Sequence, residues 1–191
     1  MKLQNFLPTL FVFMLLAGMP ATASAQDTKF PQRNEIVTLE VNPEDDSIFK
    51  IPEVFEVFSV PAEDGGKQYF LSVGHLGMGD EVVQVLFDPI FELFIPLGNS
   101  LQEALDGLQQ LQNLFKESPG TSLELSGCLA FGFPNEDREA VKVTLKKPFL
   151  SRYLEFSVQR EGYIRATSVR RSELNSLASG VKFYRTFHPN E

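Results

Sequence analysis

Turn-forming residues interrupt the apolar runs of this chain so often that, before residue 100, each run past the N-terminal segment has strand length. Val37, Leu39 and Val41 alternate with Thr38 and Glu40, and Asn42-Pro43-Glu44-Asp45-Asp46 then makes a turn. Ile48 to Ile51 and Val54 to Val60 follow, split by Pro52, which cannot donate to a strand ladder and so points to an edge or a bulge. Ala62-Glu63-Asp64-Gly65-Gly66-Lys67 is a hairpin signal because adjacent glycines reach positive φ without steric cost. It leads into Tyr69 to Val73. A loop over Gly74 to Asp80 precedes two more apolar runs, Val82 to Phe87 and Ile90 to Ile95.

The apolar period then changes from two to about 3.6. Leu101, Leu105, Leu108, Leu111, Leu114 and Phe115 share one helical face. Ser100 with Glu103 three residues on forms a capping box, and Pro119-Gly120 stops the run, so a helix is expected over about 100–117. Gly107 inside it costs on the order of 1 kcal/mol against Ala, which implies a close backbone approach there. The second half repeats the rhythm: strands at Leu123–Phe133, Val141–Leu145, Leu154–Val158 and Tyr163–Val169. A short helix is expected over about 172–179, from Ser172 as N-cap to Gly180 as a left-handed C-terminal cap, with Val181–Phe187 as a last strand.

The fold class is therefore α+β, predominantly antiparallel sheet with one long and one short helix, arranged as two degenerate units of four strands and a helix. That order of elements resembles the layout of Whirly-type single-stranded nucleic-acid-binding folds, with no motif shared. A net acidic chain gains little from releasing counterions off phosphates, so nucleic acid is not an expected partner.

Residues 1–25 read as a secretory signal peptide: Lys2, an apolar run from Leu10 to Ala17, helix breakers at Gly18 and Pro20, and Ala23-Ser24-Ala25 as an A-x-A site cut between Ala25 and Gln26. The run is too short to cross a bilayer, which needs about 20 residues, so no transmembrane anchor is expected. A periplasmic or secreted location follows. Beyond it lie a polar lead, 26–34, and a single β-rich domain, 35–191, whose two units would be 35–120 and 121–191.

Charge divides the same way. Residues 26–120 carry 5 basic and 17 acidic side chains, net −12, and residues 121–191 carry 11 basic and 8 acidic, net +3. Lys142, Lys146, Arg160, Arg165, Arg170 and Arg171 could form a basic surface for an anionic partner. The basic half could instead dock on the acidic half, within one chain or between copies, or simply be a solvated sheet face.

Catalytic patterns are sparse. The histidines, His75 and His188, sit in no metal-binding spacing, and no nucleophile elbow, phosphate loop or dinucleotide fingerprint occurs, so no cofactor or metal is expected. The acidic turns at Glu44-Asp45-Asp46 and Glu63-Asp64 lack a full calcium loop. Cys128, the only thiol, precludes an internal disulfide. Strict alternation puts it with Ser126, Ala130 and Gly132 on a small-residue face opposite Leu123, Leu125 and Leu129, where it is either a buried small hydrophobe or a reactive group. Of 18 Phe, only Phe6, Phe11 and Phe13 precede the cut. The rest either build the core or, at Phe87, Phe91 and Phe94, line an apolar pocket or a contact patch. The expectation is a non-catalytic binding or assembly protein for a protein, peptide or apolar ligand, or a homo-oligomer; the alternative is an envelope enzyme using Cys128 or His75.

Overall fold

The computed structural model describes residues 33–41, 53–76, 92–130, 138–160, 163–189 and 191, all within one compact unit. The signal segment with its Ala25–Gln26 cut, the acidic turn at 44–46, Phe87 and Phe91 lie outside the described residues.

Among the described residues, eight strands form one antiparallel meander in which each pairs with its chain neighbours: β1 (Asn34–Val41), β2 (Glu53–Pro61), β3 (Lys67–Leu76), β4 (Leu93–Gly98), β5 (Ser122–Ala130), β6 (Glu139–Lys146), β7 (Tyr153–Arg160) and β8 (Tyr163–Arg170). Helix α1 (Leu101–Leu114) follows β4, and α2 (Arg171–Phe187) follows β8. The sheet is curled. Strands six places apart in a flat sheet would stand about 29 Å from each other, yet Thr167 of β8 donates to the Glu53 carboxylate of β2 at 3.0 Å. At the β4–β5 seam the described residues pair at Leu93↔Ala130 and Phe94↔Leu129.

Both helices pack on the inner side of this curl and share one apolar core with the sheet. Phe55, Val57, Leu71, Val73, Leu93 and Ile95 come from the first strands, Val141, Val143, Leu154 and Phe156 from the later ones. The helices run antiparallel: Gln112 of α1 donates to Asn175 Oδ1 of α2 at 2.9 Å, while Arg185 of α2 donates to Gln102 of α1.

Helix α1 forms as its sequence dictates. The Ser100 hydroxyl accepts from the Glu103 N–H at 3.2 Å, and the Glu103 carboxylate reaches back to the Asn99 N–H at 2.7 Å. Its glycine makes a close approach, since a Cβ on Gly107 would lie 3.2 Å from Leu97 Cδ2, but that atom ends a flexible side chain and can give way.

Helix α2 departs from expectation. It does not end at residue 179 and no strand follows; it runs for 17 residues and is the longer of the two. Leu174, Leu177, Ala178 and Val181 are buried at helical spacing, so the apolar stripe continues through the glycine. Gly180 is no cap. A Cβ there would overlap Val37 Cγ2 and stand 2.9 Å from Val37 Cβ, so the glycine lets α2 lie directly on β1. The helix also starts earlier than Ser172, with Arg170 N–H donating to the Glu173 carboxylate at 2.6 Å.

Cys128 is likewise on the other side of the sheet from where strict alternation puts it. A bulge between Leu125 and Cys128, with Gly127 at φ 75°, inserts an extra residue and turns the thiol into the core beside Leu123 and Leu125.

The two halves of the sheet differ in burial. β6 and β7 bury one face only. In β2 to β4 the face turned away from the helices is buried too, where Phe58 stacks on Phe70 at 5.7 Å and meets Phe94 edge-on at 5.9 Å. Glu56, Ser72 and Glu92 share that face, with Ser72 donating to Glu92 and Arg33 paired to Glu56 at 3.1 Å. Phe94 is fully buried there.

Candidate functional site

The six basic residues occupy β6, β7, β8 and the start of α2, and the side chains of Arg160 and Arg165 lie outside the described residues. Alternation along β6 puts Lys142 and Lys146 opposite to the buried Val141, Val143 and Leu145, on the outer face. Arg170 shares that face, since Lys146 pairs with Tyr153 and Tyr153 with Arg170. Carboxylates interrupt it: Glu155 holds Lys146 at 3.1 Å, and Glu124 stands in register with Lys142. Arg165 is in register with the buried Val158, and Arg160 with Tyr163, which is the other row of the pleat. Arg171 is the first residue of α2 and exposed.

Cys128 and His188 give no reactive arrangement among the described residues, and the side chain of His75 lies outside them. Cys128 is fully buried, its Sγ donating to Leu125 O at 3.7 Å. Burial pushes the thiol up to about 12, against a small opposing pull from Arg138, so it stays protonated at neutral pH. His75 lies in β3 opposite Val54. His188 caps the end of α2, stacked on Tyr184 with ring centroids 3.9 Å apart and Nδ1 3.0 Å from Tyr184 O. No group of three or more metal-ligating side chains occurs among the described residues. A cleft of about 360 Å³ between β4 and α1 is walled by Ile95, Leu97, Gly107, Leu111 and Leu125. Its Glu103 carboxylate is already taken by the helix cap.

What stands out instead, among the described residues, is exposed apolar surface in three places, of which the single Ile164 of β8, 68 % exposed, is the smallest. On α2, Phe183 and Phe187 are 69 % and 66 % exposed and meet edge-to-face at 5.0 Å. At the turn joining β6 to β7, Phe149 and Leu150 are each 98 % exposed.

The turn is built for display. Pro148 O accepts from Ser151 N–H at 3.2 Å, closing a four-residue turn with Phe149 and Leu150 at its corners. Phe149 sits at φ 52°, the left-handed region, the one non-glycine residue to do so among the described residues. For a bulky L-residue that conformation costs roughly 1–3 kcal/mol. The β2–β3 hairpin reaches positive φ with Gly65, at 84°, behind the polar corner Glu63-Asp64, so a hairpin in this fold does not require an aromatic residue there.

The base of the turn is fixed. Arg152 donates to Phe115 O at 3.0 Å and to Glu117 O at 3.3 Å, filling carbonyls that the end of α1 leaves unbonded. Gly120 N–H donates to Leu145 O at 2.8 Å, and Leu145 N–H to Thr121 O at 2.9 Å, tying the same segment to β6. Sequence reading passed over this turn; its signal was an apolar pair after Pro148 where a hairpin normally carries polar or glycine residues.

No known protein family, curated protein or solved structure matches the chain. Among the described residues no helix is long and apolar enough to cross a membrane.

Proposed function

We propose that this is an exported, non-catalytic docking protein that engages its partner through the β6–β7 turn. The observation that carries the reading is the pair Phe149–Leu150, 98 % exposed on a rigid base, with Phe149 held at a costly positive φ. Residues that pay conformational strain without gaining internal contacts are candidates for function, because nothing within the fold offsets the cost. The buried, protonated Cys128 supports a non-catalytic role. Export rests on the signal-like segment ending at Ala25.

The order of four strands and a helix, twice, supports treating the chain as two diverged units. The second has the apolar turn where the first has the acidic Glu63-Asp64 turn.

A photo-crosslinking residue in place of Leu150, expressed in the native cell, tests the reading. Adducts should form at Leu150 well above those from a control at Gln109, an exposed residue of α1. Equal yields from both positions would count decisively against docking at this turn. An adduct joining two copies would make the partner the chain itself.

A further inference from the structure

Building on that reading, we infer that the partner of the Phe149–Leu150 turn is an anionic lipid surface, into which the two side chains insert while the surrounding cations meet the headgroups. The charge pattern is the first argument. Lys146, Lys147 and Arg152 flank the pair, no carboxylate occurs from 146 to 152, and Lys116 and Glu117 sit on the α1 end to which Arg152 is bonded. Lys146 is answered by Glu155, and Lys116 donates to Asn113 Oδ1 at 2.8 Å. Counting Glu117 and Glu155, four cations face two carboxylates around the tip, and the exposed Lys147 has no ion pair among the described residues.

Shape and size are the second argument. The apolar pair stands at the corner of a hairpin, a convex feature. Phe149 offers about 150–250 Å², and with Leu150 the tip stays far below the roughly 800 Å² that each side of a stable protein interface buries. A bilayer sets no such minimum, because it is an apolar phase that closes around whatever enters. One small apolar wedge gives weak, reversible attachment, and a cluster of cations beside it supplies the second signal that such attachment needs. The bonds from Arg152 to the end of α1 hold the wedge outward, so little ordering remains to be done on binding.

Co-sedimentation of the purified full chain with vesicles tests this, comparing phosphatidylcholine containing phosphatidylglycerol with phosphatidylcholine alone. Binding should favour the anionic vesicles and weaken as salt rises. The double variant Phe149→Ser/Leu150→Ser should lower partitioning about ten- to a hundredfold, with circular dichroism and melting temperature unchanged. Lys147→Gln should lower it about fivefold on anionic vesicles only. Equal affinity for the two vesicle types, no binding to either, or a double variant that binds like wild type would overturn the inference. The crosslinker at Leu150 separates the two levels of the reading. Lipid adducts support both, protein adducts alone defeat the lipid inference while leaving docking intact, and no adducts defeat both.

Discussion

Helix α2 carries a glycine in its middle, and the structure predicts that replacing it by alanine destabilises the protein. On an isolated helix Gly180→Ala should gain about 1 kcal/mol, since glycine loses more backbone freedom on folding. Here the new methyl would overlap Val37 Cγ2 and lie 2.9 Å from Val37 Cβ. A Cβ is fixed to the backbone of β1 and cannot rotate away, so α2 and β1 must separate. Overpacking of this kind costs typically 1–3 kcal/mol, and with two atoms of one rigid side chain in the way the upper part of that range applies. The net effect is a loss of about 1–2 kcal/mol, read as a fall of several degrees in melting temperature for a chain of this size. Gly107→Ala is the internal control. Its propensity gain is the same, but the nearest atom is Leu97 Cδ2 at 3.2 Å, the end of a flexible side chain, so the change should be neutral or stabilising. In a Val37→Gly background, which removes the Cβ as well as both Cγ atoms, the obstruction is gone, and Gly180→Ala should turn neutral or favourable, giving a coupling of about 2 kcal/mol across the cycle. Thermal unfolding of the four proteins decides it. A Gly180→Ala variant that melts higher than wild type, or behaves the same with and without Val37, would refute the close-approach argument.

Three further outcomes follow from buried ionisable groups. Cys128 should resist iodoacetamide in the native protein and react in urea; native alkylation at the unfolded rate would mean the bulge does not hold the thiol inside. Because burial raises the folded thiol from 9.0 to about 12, its contribution to stability is complete below about pH 9 and is lost as pH rises toward 12. Tyr69, moved from 10.0 to about 12 by burial and then by the charge of Glu191, adds to the same alkaline loss, so Cys128→Ala should reduce it without abolishing it. Glu53 is raised above its usual 4.5, chiefly by burial, with the Thr167 hydroxyl opposing. Its neutral form favours folding, so that contribution is complete below about pH 4.5 and fades as pH climbs through the folded value. Glu53→Gln, which keeps a carbonyl oxygen for Thr167, should therefore raise the melting temperature at neutral pH and lose that advantage in acid. An equal effect at both pH values would show that charge burial is not the cause.

What the sequence made legible is what short-range physics determines. The α1 cap depends on residues within four positions of one another, and the hairpin at 62–66 on its own glycines; both appear where their residues place them. The misread elements share a different property: one local signal with two long-range outcomes. Gly180 ends a helix when the next residue faces solvent, and admits a neighbouring strand when it faces the core. Val181 is fully buried, so the second outcome holds. Alternation through β5 depends on a single residue count, and the bulge at Gly127 changes that count, which moves Cys128 across the sheet. The buried outer face of β2 to β4 could not be read locally, because Phe58, Phe70 and Phe94 come from three different strands.

The same reasoning explains why total charge was a poor guide to a site. A net charge of +3 over 121–191 has no address until the pleat divides it. Once divided, Lys146 is answered by Glu155, Lys142 stands beside Glu124, and Arg165 falls in the row of Val158. Arg152, which was not among the singled-out residues, is instead bonded to the end of α1 and steadies the turn that presents Phe149. Arg152 therefore matters through what it holds in place. On the proposed reading, the location of the exposed apolar pair, rather than the sum of charges, sets where the protein would dock.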